Sequence, residues 1–150
     1  MSGESQSETS VSGSILVADD DPEILTLVSR RLAKRGYTVY EAQDGIQALA
    51  EARSKNPDLI VLDVMMPLKN GWEVAKELRA DAKTKDIQIL VLTAIGQMMN
   101  DMNSPLYGAD DYIDKPFEFA DLEARIAKLL SKRVGAVAAA AAAAAANAKK

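Results

Sequence analysis

The stretch Leu59-Ile60-Val61-Leu62-Asp63-Val64-Met65-Met66-Pro67 constrains the fold more than any other part of the chain. Its unbroken apolar run, with Ile and Val in it, predicts a strand covered on both faces, as in a parallel sheet. The run ends in a carboxylate, and Met66-Pro67 and Asn70-Gly71 then signal a turn toward a helix. A charge at the end of a dry strand is costly unless something compensates for it. In open α/β sheets the carboxyl edge is also where ligands bind. Asp63 is therefore the first candidate site residue, although this stretch alone allows a helix-capping Asp equally well.

The rest of the chain repeats the pattern. Ser14 to Ala18 is a short apolar strand that stops at Asp19-Asp20-Asp21. Pro22 suits a first helical turn, with Asp21 as N-cap, and Ile24, Leu25, Leu27, Val28 and Leu32 recur at helical spacing up to Gly36. Tyr37 to Glu41 reads as a second strand. Asp44-Gly45 opens a helix through Lys55, with Ile46, Leu49 and Ala50 predicted to face inward. Asn56-Pro57 breaks it before the strand ending at Asp63, and Asn70 caps a helix with Trp72, Val74, Ala75 and Leu78 as its apolar positions. Ile87 to Thr93 is a further buried strand, Gln97 to Tyr107 a helix interrupted at Pro105, Asp111 to Ile113 a last strand, and Phe119 to Lys132 a last helix.

Five strands alternating with five helices predict an α/β, doubly wound parallel sheet, for which the flavodoxin-like order 2-1-3-4-5 fits best. The expected organisation is a disordered extension over 1–13, one domain over 14–133 and an Ala-rich, low-complexity tail over 134–150. The tail is expected to fray, because a short alanine run is marginal as an isolated helix.

Composition narrows the chemistry. There are no cysteines and no histidines. Disulfides, zinc-thiolate sites and histidine-based acid/base or metal chemistry are thereby excluded. A net charge of -4 argues against a sequence-independent nucleic-acid binder. No export signal or membrane-crossing run is evident, so a cytoplasmic protein with no membrane partner is expected.

The strand ends then converge. In the order 2-1-3-4-5, Asp19, Asp20, Asp63, Thr93 and Lys115 surround a single crevice. Clustered carboxylates raise one another's pKa and call for a cation. An all-oxygen donor set points to Mg²⁺, which accepts substrate phosphate. A carboxylate beside such an ion, with Lys and Thr close by, describes a phosphoryl-transfer site with an aspartate nucleophile.

The set ILVADDD, LIVLDVMMPLKNG, ILVLTA and DDYIDKPF, in that order and spacing, resembles the receiver domain of bacterial two-component response regulators over about Ser14 to Lys132. The resemblance implies that Asp63 takes a phosphoryl group from a phosphohistidine on a sensor histidine kinase or phosphotransfer protein. It further implies Asp20 as a direct Mg²⁺ ligand, Asp19 as a ligand through water and the Met65 backbone carbonyl as part of the metal shell. Lys115 would pair with the phosphoryl oxygens, with a cis bond to Pro116. Thr93 would move toward the phosphoryl group beside a small Ala94, and Tyr112 would turn inward with it. An unknown downstream protein, or a second copy in a phosphorylation-dependent homodimer, would read the face of the fourth helix, fifth strand and fifth helix, with no direct nucleic-acid contact.

Such a protein is no enzyme beyond its own phosphorylation and dephosphorylation. Two alternatives stand beside it. One is a phosphorylation-independent pseudo-receiver that binds partners. The other is a Mg²⁺-dependent phosphatase with an aspartyl-phosphate intermediate, against which counts Met65, where haloacid-dehalogenase-like enzymes usually carry a second Asp. Met65 and Ile95, both apolar, are expected to flank the phosphoryl group and hinder water. The Met-rich stretch Gln97 to Pro105 departs from the usual pattern for the fourth helix.

Overall fold

The computed structural model describes residues 13–94 and 108–132. The expected N-terminal extension before Gly13, the helix over Gln97 to Tyr107, Ile95 and the alanine-rich tail lie outside the described residues. Five strands form one parallel sheet: β1 (Ser14–Ala18), β2 (Thr38–Ala42), β3 (Leu59–Asp63), β4 (Gln88–Ala94) and β5 (Asp111–Lys115). Their order is β2-β1-β3-β4-β5, as the sequence predicts. The described helices are α1 (Pro22–Lys34), α2 (Gly45–Lys55), α3 (Gly71–Ala80) and a closing helix over 119–132.

Local chemistry starts each helix where it should. Asp21 accepts hydrogen bonds from the Glu23 and Ile24 amides, with Pro22 as the first residue of α1. Asp44 accepts from the Gln47 amide at 2.7 Å. Asn70 and Glu73 form a reciprocal capping box at the start of α3. These contacts satisfy amides that a helix leaves unpaired at its N-terminus.

Alternate residues of the central strands feed two separate cores. Leu59 and Val61 of β3 pack with Leu25, Val28 and Leu32 of α1 and with Leu122, Ile126 and Leu129 of the closing helix. Ile60 and Leu62 pack on the other face with Ala48, Leu49 and Ala52 of α2 and with Val74, Ala75 and Leu78 of α3. All five residues of β3 are buried, which explains why its sequence carries no polar alternation.

Expectations for the apolar face are corrected on two helices. Ile46 is 49% exposed and Leu27 is 43% exposed, and Ala50 also lies outside. On α2 the buried stripe is Gly45, Ala48, Leu49 and Ala52, in which three small residues let the helix approach the sheet closely. On α1 the stripe is Leu25, Val28, Ser29 and Leu32, the i, i+3, i+4, i+7 face on which Leu27 has no place.

Charged groups join neighbouring elements. Glu123 of the closing helix receives Arg31 at 3.1 Å and Arg35 at 2.7 Å from α1, and the Arg31 guanidinium stacks 4.6 Å from the Phe119 ring centre. At the amino edge of the sheet, Arg79 of α3 donates to the carbonyls of Gly108, Lys85 and Ile87 and to the Asp110 carboxylate, all within 2.8 Å. Asp110 also accepts from the Ile89 amide at 2.7 Å, so one guanidinium ties α3 to the starts of β4 and β5. No helix among the described residues is long and apolar enough to cross a membrane.

Candidate functional site

Strand register brings the candidate residues together. Ala18 pairs with Leu62, so Asp19 follows β1 at the level where Asp63 ends β3. Asp63 pairs with Leu92, one residue before Thr93, and Ala94 pairs with Lys115. Four neighbouring strands therefore deliver their carboxyl ends to one crevice, the place where this type of sheet binds ligands.

Asp19 and Thr93 are buried, Asp63 is 4% exposed and Asp20 is exposed. Oxygens of Asp19, Asp20 and Asp63 lie within 4.8 Å of one another. Lys115 Nζ reaches into this group, 2.9 Å from Asp63 Oδ1 and 3.4 Å from Asp19 Oδ2. Asp19 Oδ1 accepts from the Asp21 amide at 2.9 Å, which fixes its carboxylate in place. The peptide bond between Lys115 and Pro116 is cis.

The electrostatics follow from crowding in a dry place. Burial pushes the Asp63 carboxyl up to about 6; the Lys115 hydrogen bond pulls it back, and the nearby Asp19 charge pushes it up again. Burial likewise raises Asp19, against the pull of the Asp21 amide. Burial opposes the charge on Lys115, but its bond to Asp63 and the field of both carboxylates outweigh that and hold its pKa above the usual value. One ammonium faces three carboxylates, and the chain has no His or Cys. That donor set fits a hard divalent cation held by oxygen.

Lys115 is the counter-charge that makes this packing tolerable. Lys115→Met is expected to lower stability at pH 8 by about 1–3 kcal/mol, because two buried carboxylates lose their partner. The difference should shrink toward pH 4.5, where Asp63 is protonated, and thermal melts at the two pH values check this. An equal loss at both would show a packing defect instead.

The other candidates are placed differently. Met65, two residues beyond Asp63, is 63% exposed at the start of the connection to α3, whereas Met66 is buried. Tyr112 pairs with Val91, two residues before Thr93, and is 36% exposed. Its backbone carbonyl accepts from Arg125 Nη1 at 2.8 Å. Ile95 lies outside the described residues. Sequence reasoning missed Gly71, whose amide donates to the Val64 carbonyl at 2.9 Å. A Cβ there would sit 2.5 Å from the backbone oxygen of Asp63. Asn70-Gly71 signalled a turn in the sequence, but nothing in that pair says how closely α3 approaches the aspartate.

Residues 15–127 match the family model described as the response regulator receiver domain. The chain belongs to the response regulator receiver family. It is 46% identical over 118 residues to the DNA-binding dual master transcriptional regulator RpaA of Synechocystis sp., covering 79% of this chain and 49% of that protein. It is 44% identical over 118 residues to the response regulator MprA of Mycobacterium ulcerans, covering 79% of this chain and 50% of that one. The chain thus spans about half the length of the curated relatives it matches. Among solved structures, the receiver domain of a Francisella response regulator superposes with a TM-score of 0.73 at 32% identity, covering 80% of this chain and 98% of that one. The receiver domain of the sensor histidine kinase PA1611 from Pseudomonas aeruginosa gives 0.73 at 30% identity over 81% and 99%; its magnesium ion is coordinated in the active site cleft.

Response regulators are signalling proteins of two-component systems rather than classical enzymes, in keeping with the sequence reading. The RpaA relative is named for DNA binding, which runs against the expectation of no direct nucleic-acid binding.

Proposed function

We propose that this receiver domain is a phosphoryl-operated switch in which Asp63 is the acceptor. The observation that carries the reading is the buried Asp63 carboxylate, held at 2.9 Å by Lys115 beside two further carboxylates. The donor is a phosphohistidine on a sensor kinase or phosphotransfer protein. An Asp63 oxygen attacks phosphorus in line. The P–O bond forms as the P–N bond breaks, and the electron pair of that bond returns to the imidazole. Asp63 must be ionised for this; burial holds its carboxyl at about 6 in the metal-free chain, and a bound cation would favour the ionised form.

Asp19, Asp20 and Asp63, with the backbone carbonyl of Met65, would hold Mg²⁺, which when bound offsets the charge of the carboxylates and of the phosphoryl oxygens. Lys115 moves from Asp63 to the incoming phosphoryl oxygens. The Thr93 hydroxyl, at the end of the adjacent strand, donates to the same group. Its displacement draws Tyr112 inward and changes the face that includes β5 and the closing helix. A downstream protein or a second copy reads that face, in the cytoplasm. In longer relatives such a change would govern DNA binding.

Intact mass after incubation with Mg²⁺ and a small-molecule phosphodonor tests the reading. One phosphoryl group is expected on the parent chain, and none on Asp63→Asn or with Mg²⁺ chelated. Transfer that survives in Asp63→Asn would overturn the assignment. A chain that takes up neither Mg²⁺ nor phosphoryl would leave a phosphorylation-independent binding module.

The exposed Met65 side chain, with Ile95, sets how long the phosphoryl group lasts. An apolar flank offers water no hydrogen bond from which to attack. Met65→Asn with Ile95→Glu is expected to shorten the phosphoryl half-life by roughly tenfold, about 1.4 kcal/mol in the barrier. Decay of the labelled protein measures it, and an unchanged half-life would refute the role.

A further inference from the structure

The connection from β3 to α3, residues 64–70, includes Met65 and is seated from both ends. At the near end Gly71 closes on Asp63, as described above. At the far end sits Lys69. Its amide donates to the Pro67 carbonyl at 2.8 Å, and its Nζ pairs with Glu77 of α3 at 2.7 Å. Between them Leu68 holds a φ of +71°, a left-handed conformation that an L side chain adopts at a cost.

The remaining support comes from a helix with no residue in the crevice. Gly45, the first residue of α2, donates its amide to the Pro67 carbonyl at 3.3 Å. A Cβ on Gly45 would collide with the backbone oxygen and the Cβ of Lys69, neither of which can rotate aside as a side-chain tip can. Alanine would suit the helix itself better than glycine. The glycine is therefore explained by the clearance that it gives to the loop.

We propose that Gly45 is a positioning residue of the phosphoacceptor site: its missing side chain lets the Lys69 backbone seat against α2 and so fixes the loop that presents the Met65 carbonyl. The inference rests on the metal-dependent reading given above. A loop displaced at Lys69 shifts a neutral oxygen donor while leaving the three carboxylates on their strands. Metal affinity falls, and the transfer step, once the metal is bound, is little changed.

The experiment compares the parent chain with Gly45→Ala and with Ala52→Gly, a control that weakens α2 one full turn or more from the loop. Mg²⁺ is titrated by calorimetry, and phosphorylation by a small donor is then followed at saturating Mg²⁺. Gly45→Ala should raise the half-saturating Mg²⁺ concentration about tenfold, as the loss of an outer-shell support does. Its saturated rate should stay within about twofold of the parent. Ala52→Gly should leave the affinity unchanged even where its melting temperature is lower. Leu68→Gly frees the same loop without adding an atom, and should weaken Mg²⁺ binding by about threefold. It decides the matter if Gly45→Ala does not fold.

Parent-like affinity in Gly45→Ala, or an equal loss in Ala52→Gly, would overturn the role of Gly45. If Gly45→Ala does not fold, parent-like affinity in Leu68→Gly overturns it. A parent chain that binds no Mg²⁺ would overturn the underlying reading of the site and this inference with it.

Discussion

Without Mg²⁺ at pH 7, Asp63→Asn is expected to melt several degrees above the parent chain. Asp63 would ionise near 3.8 in the unfolded chain but at about 6 in the fold, chiefly because it is buried. Between those values the native state binds more protons than the unfolded state. The group's contribution to stability is therefore full below 3.8 and is lost as pH rises through 6. A shift of this size corresponds to about 3 kcal/mol, a net figure in which the pull of the Lys115 bond is already included. In a domain of this size that is several degrees in Tm. The advantage of the variant should vanish near pH 4, where the parent is protonated in both states. It should reverse with saturating Mg²⁺, because the variant lacks one of the three carboxylates proposed to hold the ion. Identical melts for the two proteins at pH 7 would mean that Asp63 sits in a wetter site than its burial indicates.

Arg79→Ala should be the most destabilising single change outside the two cores, at roughly 3 kcal/mol in urea unfolding. The planar guanidinium serves three carbonyls and the Asp110 carboxylate at once. Lysine offers one ammonium on a flexible stem and should recover less than half of the loss. The anchor lies at the amino edge of the strands and the carboxylate cluster at the carboxyl edge. Mg²⁺ affinity of the folded variant is accordingly expected to match that of the parent. A parallel fall in both quantities would show that the two edges are coupled.

Much of this architecture was legible in the sequence because its signals are local. A parallel strand buried on both faces must be apolar throughout, so Leu59 to Leu62 announces itself, and the capping residues Asp21, Asp44 and Asn70 mark helix starts within one residue. The crevice was legible because a shared strand polarity sends all strand ends to one edge. Ile46 and Leu27 misled because hydrophobicity says that a side chain can be buried, not that the packed face has room for it. Ala48 and Ala52, which do face the sheet, give no such signal. Arg79 and Gly45 were not legible at all: each acts on backbone atoms of distant segments, and only the assembled fold brings them together. The position of Tyr112 relative to Thr93 likewise needed the register of β4 against β5.

The two outermost strands bear on how copies of this chain can meet. β2 and β5 end the sheet on either side, each only five residues long, and among their exposed positions are Glu41 and Asp114. A second sheet added along either margin would bring like charges alongside one another and gain few ladder hydrogen bonds. Continuation of the sheet from copy to copy is thus disfavoured at both margins. Among the described residues, association is left to helical faces and loops, and both sheet margins are guarded against strand addition.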